Sequence, residues 1–144
     1  MMSTQEREIT NRREQLRSAA EAYFEGLRGK DFSAIPFDDN VSLRAPLCPG
    51  GVHRPVEGKD AVRAQWWQSL EPALEGVEVK VIDHCFNESL TGIITAAEVT
   101  IKVVNRPVTL RVADRFNVNE QGKIIEQENH FDPRDVTNPG WQNG

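Results

Sequence analysis

The chain has 144 residues, 38% hydrophobic and 27% charged, with a formal net charge of −5. These values fit one globular domain with one core and exclude a disordered chain. The acidic balance and the lack of a basic patch argue against a nucleic-acid partner. The opening M-M-S-T-Q-E-R-E has no apolar signal core and no run reaches membrane-spanning length, so no membrane partner is expected and the expected compartment is cytoplasmic. Cys48 and Cys85 offer neither a disulfide framework nor metal-ligand spacing, so no metal is expected.

In chain order, Thr4 to about Arg28 predicts a helix. Leu16, Ala20, Tyr23 and Leu27 share one face, and Gly29 supplies the stop. Tyr23, the single tyrosine, lies on that apolar stripe, as a core filler or as a phenol aimed into a cavity. Asp31 to Asn40 predicts a helical turn and a connection, with Asp38 and Asp39 as turn or cap residues. Val41 to Leu47 alternates as a first strand, ended by Cys48-Pro49-Gly50-Gly51. His53 follows in this loop, either solvated or hanging over a cavity mouth as a base. Gly58 to Leu70 predicts a second helix. Its Val62, Trp66 and Leu70 share a face, and Trp67 lies about 100° away.

From Val77 onward the pattern is strands only. The alternation blurs at Ile82–Phe86, which predicts a bulge or an end of pairing. Ile93 to Val103 follows, then a turn at Asn105-Arg106-Pro107. The next strand, Val108 to Val118, has an apolar face of Val108, Leu110, Val112, Asp114, Phe116 and Val118. Asp114 is the expensive member, since a buried carboxylate costs several kcal/mol unless paired or protonated. After the Asn119–Gly122 turn, Lys123 to Phe131 puts Ile125, Gln127, Asn129 and Phe131 on one face and Ile124, Glu126, Glu128 and His130 on the other. Residues 1–10 and 137–144 are expected as loose ends of a single domain spanning 1–144.

Two helices followed by a four-strand meander make an α+β fold, a curved antiparallel sheet with the helices on its concave face. On the inward face the Asn119–Gly122 turn brings Asp114 level with Gln127 or Asn129, and Tyr23 comes from a helix that must cover that face. Such a cluster is either a closed structural network or the polar handle of a ligand pocket.

The segments A-Y-F-E-G-L-R-G-K-D, F-D-D-N-V, G-K-D-A-V, A-D-R-F-N-V-N-E-Q-G-K-I and H-F-D-P-R-D-V together resemble the nuclear transport factor 2-like superfamily, in its SnoaL-like and ketosteroid isomerase-like branch. The resemblance runs from about Leu16 to Val136 and implies a cone-shaped domain and a homodimer formed through the sheet. It aligns Tyr23 with the isomerase's oxyanion-hole tyrosine and Asp114 with its protonated aspartate, a known case of a carboxylic acid kept neutral by an apolar site. Leu43-Arg44-Ala45-Pro46 stands where the isomerase carries its proton-shuttling aspartate. Compared with limonene epoxide hydrolase, Val112 replaces an arginine and Asn129 replaces the second aspartate. SnoaL-like cyclases need one aspartate, which Asp114 provides.

The resulting expectation is a cofactor-independent enzyme of cyclase or isomerase type acting on a small apolar or aromatic, carbonyl-bearing molecule. Asp114 and Tyr23 are its catalytic candidates. Asn129 and Gln127 would orient the substrate, Trp66, Phe116 and Phe131 would form walls, and His53 would border the pocket as a possible base. The alternative is a non-catalytic binding or accessory domain of the same fold.

Overall fold

The computed structural model describes residues 1–143. Helix α1 (Thr4–Arg28) is capped by Ser3, whose Oγ accepts from the Glu6 amide at 3.1 Å. Its buried stripe includes Leu16, Ala20, Tyr23 and Leu27, and Gly29 closes it. The chain is helical from Thr4, as the pattern predicts, and residues 1–10 are solvent-exposed.

Six strands form one sheet: β1 (Phe37–Arg44), β2 (Val56–Glu57), β3 (Glu78–Phe86), β4 (Gly92–Val103), β5 (Arg106–Val118) and β6 (Ile124–His130). Their order is β2-β1-β6-β5-β4-β3. The expected β3–β6 meander is present and antiparallel, but β1 adds to β6 in parallel and β2 adds to β1. The first strand thus begins earlier than the alternation suggested. Asp38 and Asp39 lie inside it, within a shift of register against β6 between Phe37 and Ser42, where Asp38 Oδ2 accepts from the Asn40 amide. Leu47 falls outside the strand and is half exposed.

The β4–β5 turn is also displaced from its expected place. Val104 and Asn105 form it, both with positive φ (51° and 63°), the geometry of a tight two-residue hairpin. The blur at Ile82 is a register shift between Val81 and Asp83, as the broken alternation predicts. In β6 an unpredicted shift falls opposite Asn117 and Val118. Ile124 is consequently buried and Ile125 is 41% exposed, the reverse of the expected phase, while Gln127 and Asn129 keep the inward phase.

The second helical segment is α2 (Lys59–Val62), a π-turn (Arg63–Trp67), α3 (Gln68–Leu70) and a 3₁₀ turn (Glu71–Leu74). The π-turn widens the helix locally, so that the adjacent Trp66 and Trp67 are both buried. Trp67 packs on Phe32 at 5.6 Å, and Trp66 turns toward Tyr23. The tail read as loose also folds back. Helix α4 (Arg134–Thr137) carries Asp135, whose Oδ1 accepts from Trp141 Nε1 at 2.8 Å and from Gln142 Nε2 at 2.7 Å. Gly144 lies outside the described residues. Among the described residues no helix is long and apolar enough to cross a membrane.

Arg12 ties α1 to the turns at one end of the sheet. Its guanidinium donates to the Leu90 carbonyl at 2.8 Å, the Asn119 carbonyl at 2.9 Å and the Val118 carbonyl at 2.7 Å. Half-buried bonds from a charged donor are worth about 1.5–3 kcal/mol. Arg12→Ala is expected to lower the unfolding free energy by about 2 kcal/mol, measured by urea denaturation. Arg12→Lys should recover little of it, because an ammonium cannot span three carbonyls in a planar fork.

Candidate active site

The site is assembled by register. Asp114 pairs with Asn129 across β5 and β6, and Phe116 pairs with Gln127. Asp114 Oδ1 accepts from Asn129 Nδ2 at 2.6 Å and from Gln127 Nε2 at 3.3 Å. Among the described residues, Asp114 Oδ2 and Gln127 Oε1 are buried without a partner. The carboxyl is 1% exposed. Burial pushes its pKa up to about 7, against the two amide bonds, which favour the charged form. An acid poised near neutrality has both protonation states available for proton transfer.

Tyr23 reaches the same place from α1. Its ring lies 5.2 Å from Phe116 and stacks on Trp66 at 6.1 Å. Burial holds its phenol well above the usual tyrosine value, and the nearby Asp114 charge pushes the same way. The phenol therefore stays protonated and can donate a hydrogen bond.

A cavity of about 250 Å³ opens beside this cluster, bordered by Tyr23, Asp114 and Asn129. Its walls are otherwise largely apolar: Leu27, Leu74, Val99, Ile101, Leu110 and Val112, closed by Trp66 and Phe131. Leu47, Gln65, Ser69 and Lys102, all exposed, mark the mouth. A pocket with apolar walls and a few convergent polar groups suits a small apolar ligand held at one end.

Of the residues singled out in the sequence, Tyr23, Trp66, Asp114, Asn129 and Phe131 border the cavity. Gln127 and Phe116 are fully buried just behind that wall, one bonded to Asp114 and the other against Tyr23. His53 does not join them. It is exposed in the turn Gly51–His53, away from the lining residues, because the turn leads the chain outward before β2. Cys48, which follows the first strand, also borders the cavity, and burial pushes its thiol up, which disfavours the thiolate. His84 and Thr95 were also missed. They occupy the same sheet row as Asp114, and the available signal was a threonine inside the apolar face of β4. Among the described residues no three His, Cys, Asp or Glu side chains cluster as metal ligands would.

The profile of the SnoaL-like domain family matches residues 20–127, more than half of the chain. The chain belongs to the SnoaL-like domain family. No curated protein matches it in sequence. Solved structures do match this SnoaL-like domain. SalBIII, an epoxide hydrolase/cyclase-like enzyme with a role in pyran ring formation in the polyether salinomycin, is 18% identical over 85% of this chain and 95% of its own, with a TM-score of 0.72. RV0760c from Mycobacterium tuberculosis is 15% identical over 82% of this chain and 91% of its own, with a TM-score of 0.70. A Delta 5-3-ketosteroid isomerase from Mycobacterium sp. is 17% identical over 85% of this chain and 95% of its own, with a TM-score of 0.68. At these identities the likeness is one of fold, the nuclear transport factor 2-like cone.

The raised Asp114 pKa carries a stability consequence. Between the unfolded value near 3.8 and the folded value of about 7, the folded state holds a proton that the unfolded state has lost. Stability therefore falls as pH rises through this window and levels off above it. Asp114→Asn, which keeps the acceptor for Asn129, removes the titration. The mutant's unfolding free energy, measured by urea denaturation, is expected to match wild type near pH 4 and to exceed it increasingly up to pH 7, by about 1 kcal/mol per pH unit.

Proposed function

We propose that this SnoaL-like domain is a cofactor-independent acid/base enzyme of isomerase or cyclase type, acting on an apolar, carbonyl-bearing small molecule. The observation that carries the reading is the Asp114 carboxyl, buried beside an apolar cavity with one oxygen held by two amides and the other unpartnered. In this reading the substrate carbonyl meets the neutral Asp114 and the Tyr23 phenol. Charge developing on that oxygen is stabilised where little water competes. Asn129 and Gln127 hold the carboxyl in place, and Trp66 and Phe131 flank the substrate rings.

A second reading is favoured by one observation: Asp114 is the only carboxylate lining the cavity among the described residues. A domain with one acid and no separate base could bind such a molecule without converting it.

The experiment takes a panel of apolar ring compounds bearing a ketone or β-dicarbonyl group, with binding read by tryptophan fluorescence and conversion by mass spectrometry. Asp114→Asn is expected to abolish conversion while leaving affinity within a few fold. Tyr23→Phe is expected to lower kcat by about 10²-fold, the loss typical of one oxyanion donor. Undiminished conversion by Asp114→Asn would remove the carboxyl from the chemistry. Binding without conversion by the unaltered protein would favour the second reading.

We also propose that the domain pairs with a second copy through the outer face of the sheet. Ile94 and Ile125 are exposed there, beside the ion pairs of Arg115 with Glu126 and Glu128. Sedimentation is expected to give a dimer that Ile94→Lys converts to monomer, and a monomeric unaltered protein would refute the pairing.

A further inference from the structure

Four polar side chains stand in one row across the concave face of the sheet. His84 in β3 pairs with Thr95 in β4, Thr95 pairs with Asp114 in β5, and Asp114 pairs with Asn129 in β6. Directly opposite residues on one face of antiparallel strands keep their Cβ atoms about 4.5–5.5 Å apart. Thr95 is fully buried between the inward Ile93 and Ala97, where valine would cost less. Its Oγ1 lies 2.8 Å from His84 Nδ1.

The other imidazole nitrogen faces outward. His84 Nε2 is 3.9 Å from Glu21 Oε1; the His84 side chain is 16% exposed and that of Glu21 56%. Strand β3 is the edge of the sheet, so this end of the row meets solvent. Neither His84 nor Thr95 borders the cavity, whose mouth lies elsewhere, at Leu47, Gln65, Ser69 and Lys102.

We propose that Thr95 and His84 form a proton path joining Asp114 to solvent at the sheet edge, separate from the cavity mouth. The proposal rests on the reading of Asp114 as the working acid and deepens it. An apolar ligand filling the cavity would block exchange through the mouth, so an acid that gives up its proton needs a second route to recover it.

The transfer balances. A solvent proton adds to Nε2 of a neutral imidazole carrying hydrogen on Nδ1. The Nδ1 hydrogen passes to Thr95 Oγ1, and the Thr95 hydroxyl hydrogen passes to the Asp114 carboxylate. The imidazole is left neutral with hydrogen on Nε2, Thr95 is again a hydroxyl, and Asp114 is a neutral acid. The reverse sequence carries a proton out. Thr95 and Asp114 are cross-strand neighbours without a direct hydrogen bond, so the path requires a χ1 rotation of Thr95 or one bridging water at this step. The groups facing His84 are Glu21 and Arg17 from α1, Asp83 on its own strand and Thr95. Those facing Asp114 are Tyr23, Asn129, Gln127 and Thr95. Burial keeps His84 below the ordinary histidine value, against Glu21 and Asp83, so it is neutral and able to accept a proton at neutral pH.

The test reads proton exchange rather than turnover. Carboxyl-carbon NMR line shapes of Asp114, recorded across pH 5–9 with saturating cyclohexane filling the apolar cavity, give the rate at which the carboxyl changes protonation state when the mouth is blocked. Thr95→Val, which keeps the shape and removes the hydroxyl, is expected to slow that rate at least tenfold. Thr95→Ser should restore it, and His84→Phe should slow it as Thr95→Val does. Unchanged exchange in Thr95→Val, slowing in His84→Phe alone, or an Asp114 that does not titrate between pH 5 and 9 would each overturn the path. Loss of conversion in Asp114→Asn with unchanged exchange in Thr95→Val would refute the path and leave the acid's role standing.

Discussion

One extra residue in β6 decides which side chains meet Asp114. Strand β5 alternates without interruption from Leu110 to Val118, so its inward face needs a partner strand of matching phase. At the turn that partner must bury Ile124, and at the other end it must present Gln127 and Asn129. Ile124 and Gln127 are three residues apart, so a regular strand cannot point both inward. The bulge at Ile125 resolves the conflict by sending one isoleucine outward and restoring the phase. A separate irregularity marks the join to β1: Phe37 pairs with Ile124 and Ser42 with Glu126, so β1 takes five steps where β6 takes two.

The cluster that results is balanced rather than closed. Two amides satisfy one oxygen of Asp114, and among the described residues nothing satisfies the other. A second donor on Oδ2 would favour the carboxylate and draw the acid back toward an ordinary pKa; removal of both amides would push it higher still. Tyr23 adds to the burial without an ion that would pair the charge. A carboxyl in this state differs from a conventional buried ion pair, where a guanidinium would hold the group permanently charged.

Much of this was legible because period-two alternation is strict where a strand is half-buried. The inward positions of β4 and β5 and the meeting of Asp114 with Gln127 and Asn129 follow from it, and the 3.6-residue period of α1 likewise gives the apolar stripe carrying Tyr23. What failed was decided by contacts distant in sequence. The pairing of β1 with β6 joins residues more than eighty positions apart, and no local pattern encodes it. The bulge at Ile125 hid between two isoleucines that look equivalent until Gln127 and Asn129 claim the inward phase. The π-turn at Arg63–Trp67 likewise follows from burying both tryptophans, a demand of packing and not of helix propensity. His53 was misplaced because a histidine in a glycine-rich loop carries no periodicity to orient it. His84 sits where the alternation blurs, and its partner is a threonine across the strand, a contact no local pattern encodes.

Helix α1 then binds these parts into one unit. Arg12 and Tyr23 are eleven residues apart, three helical turns, so they lie on the same face with about 16 Å between them. Arg12 grips the turn that joins β5 to β6, and Tyr23 lies over Phe116 beside Asp114. The hairpin carrying the carboxyl and its amides is therefore held at its turn and again at the cluster by a single rigid rod. Glu21 rides on the same helix above His84. A shift of α1 along its axis would move the phenol relative to Asp114 and the carboxylate relative to the imidazole together. The positions of the acid, the hydroxyl that serves it and the edge histidine are thus set by one helix–sheet register rather than by separate loops.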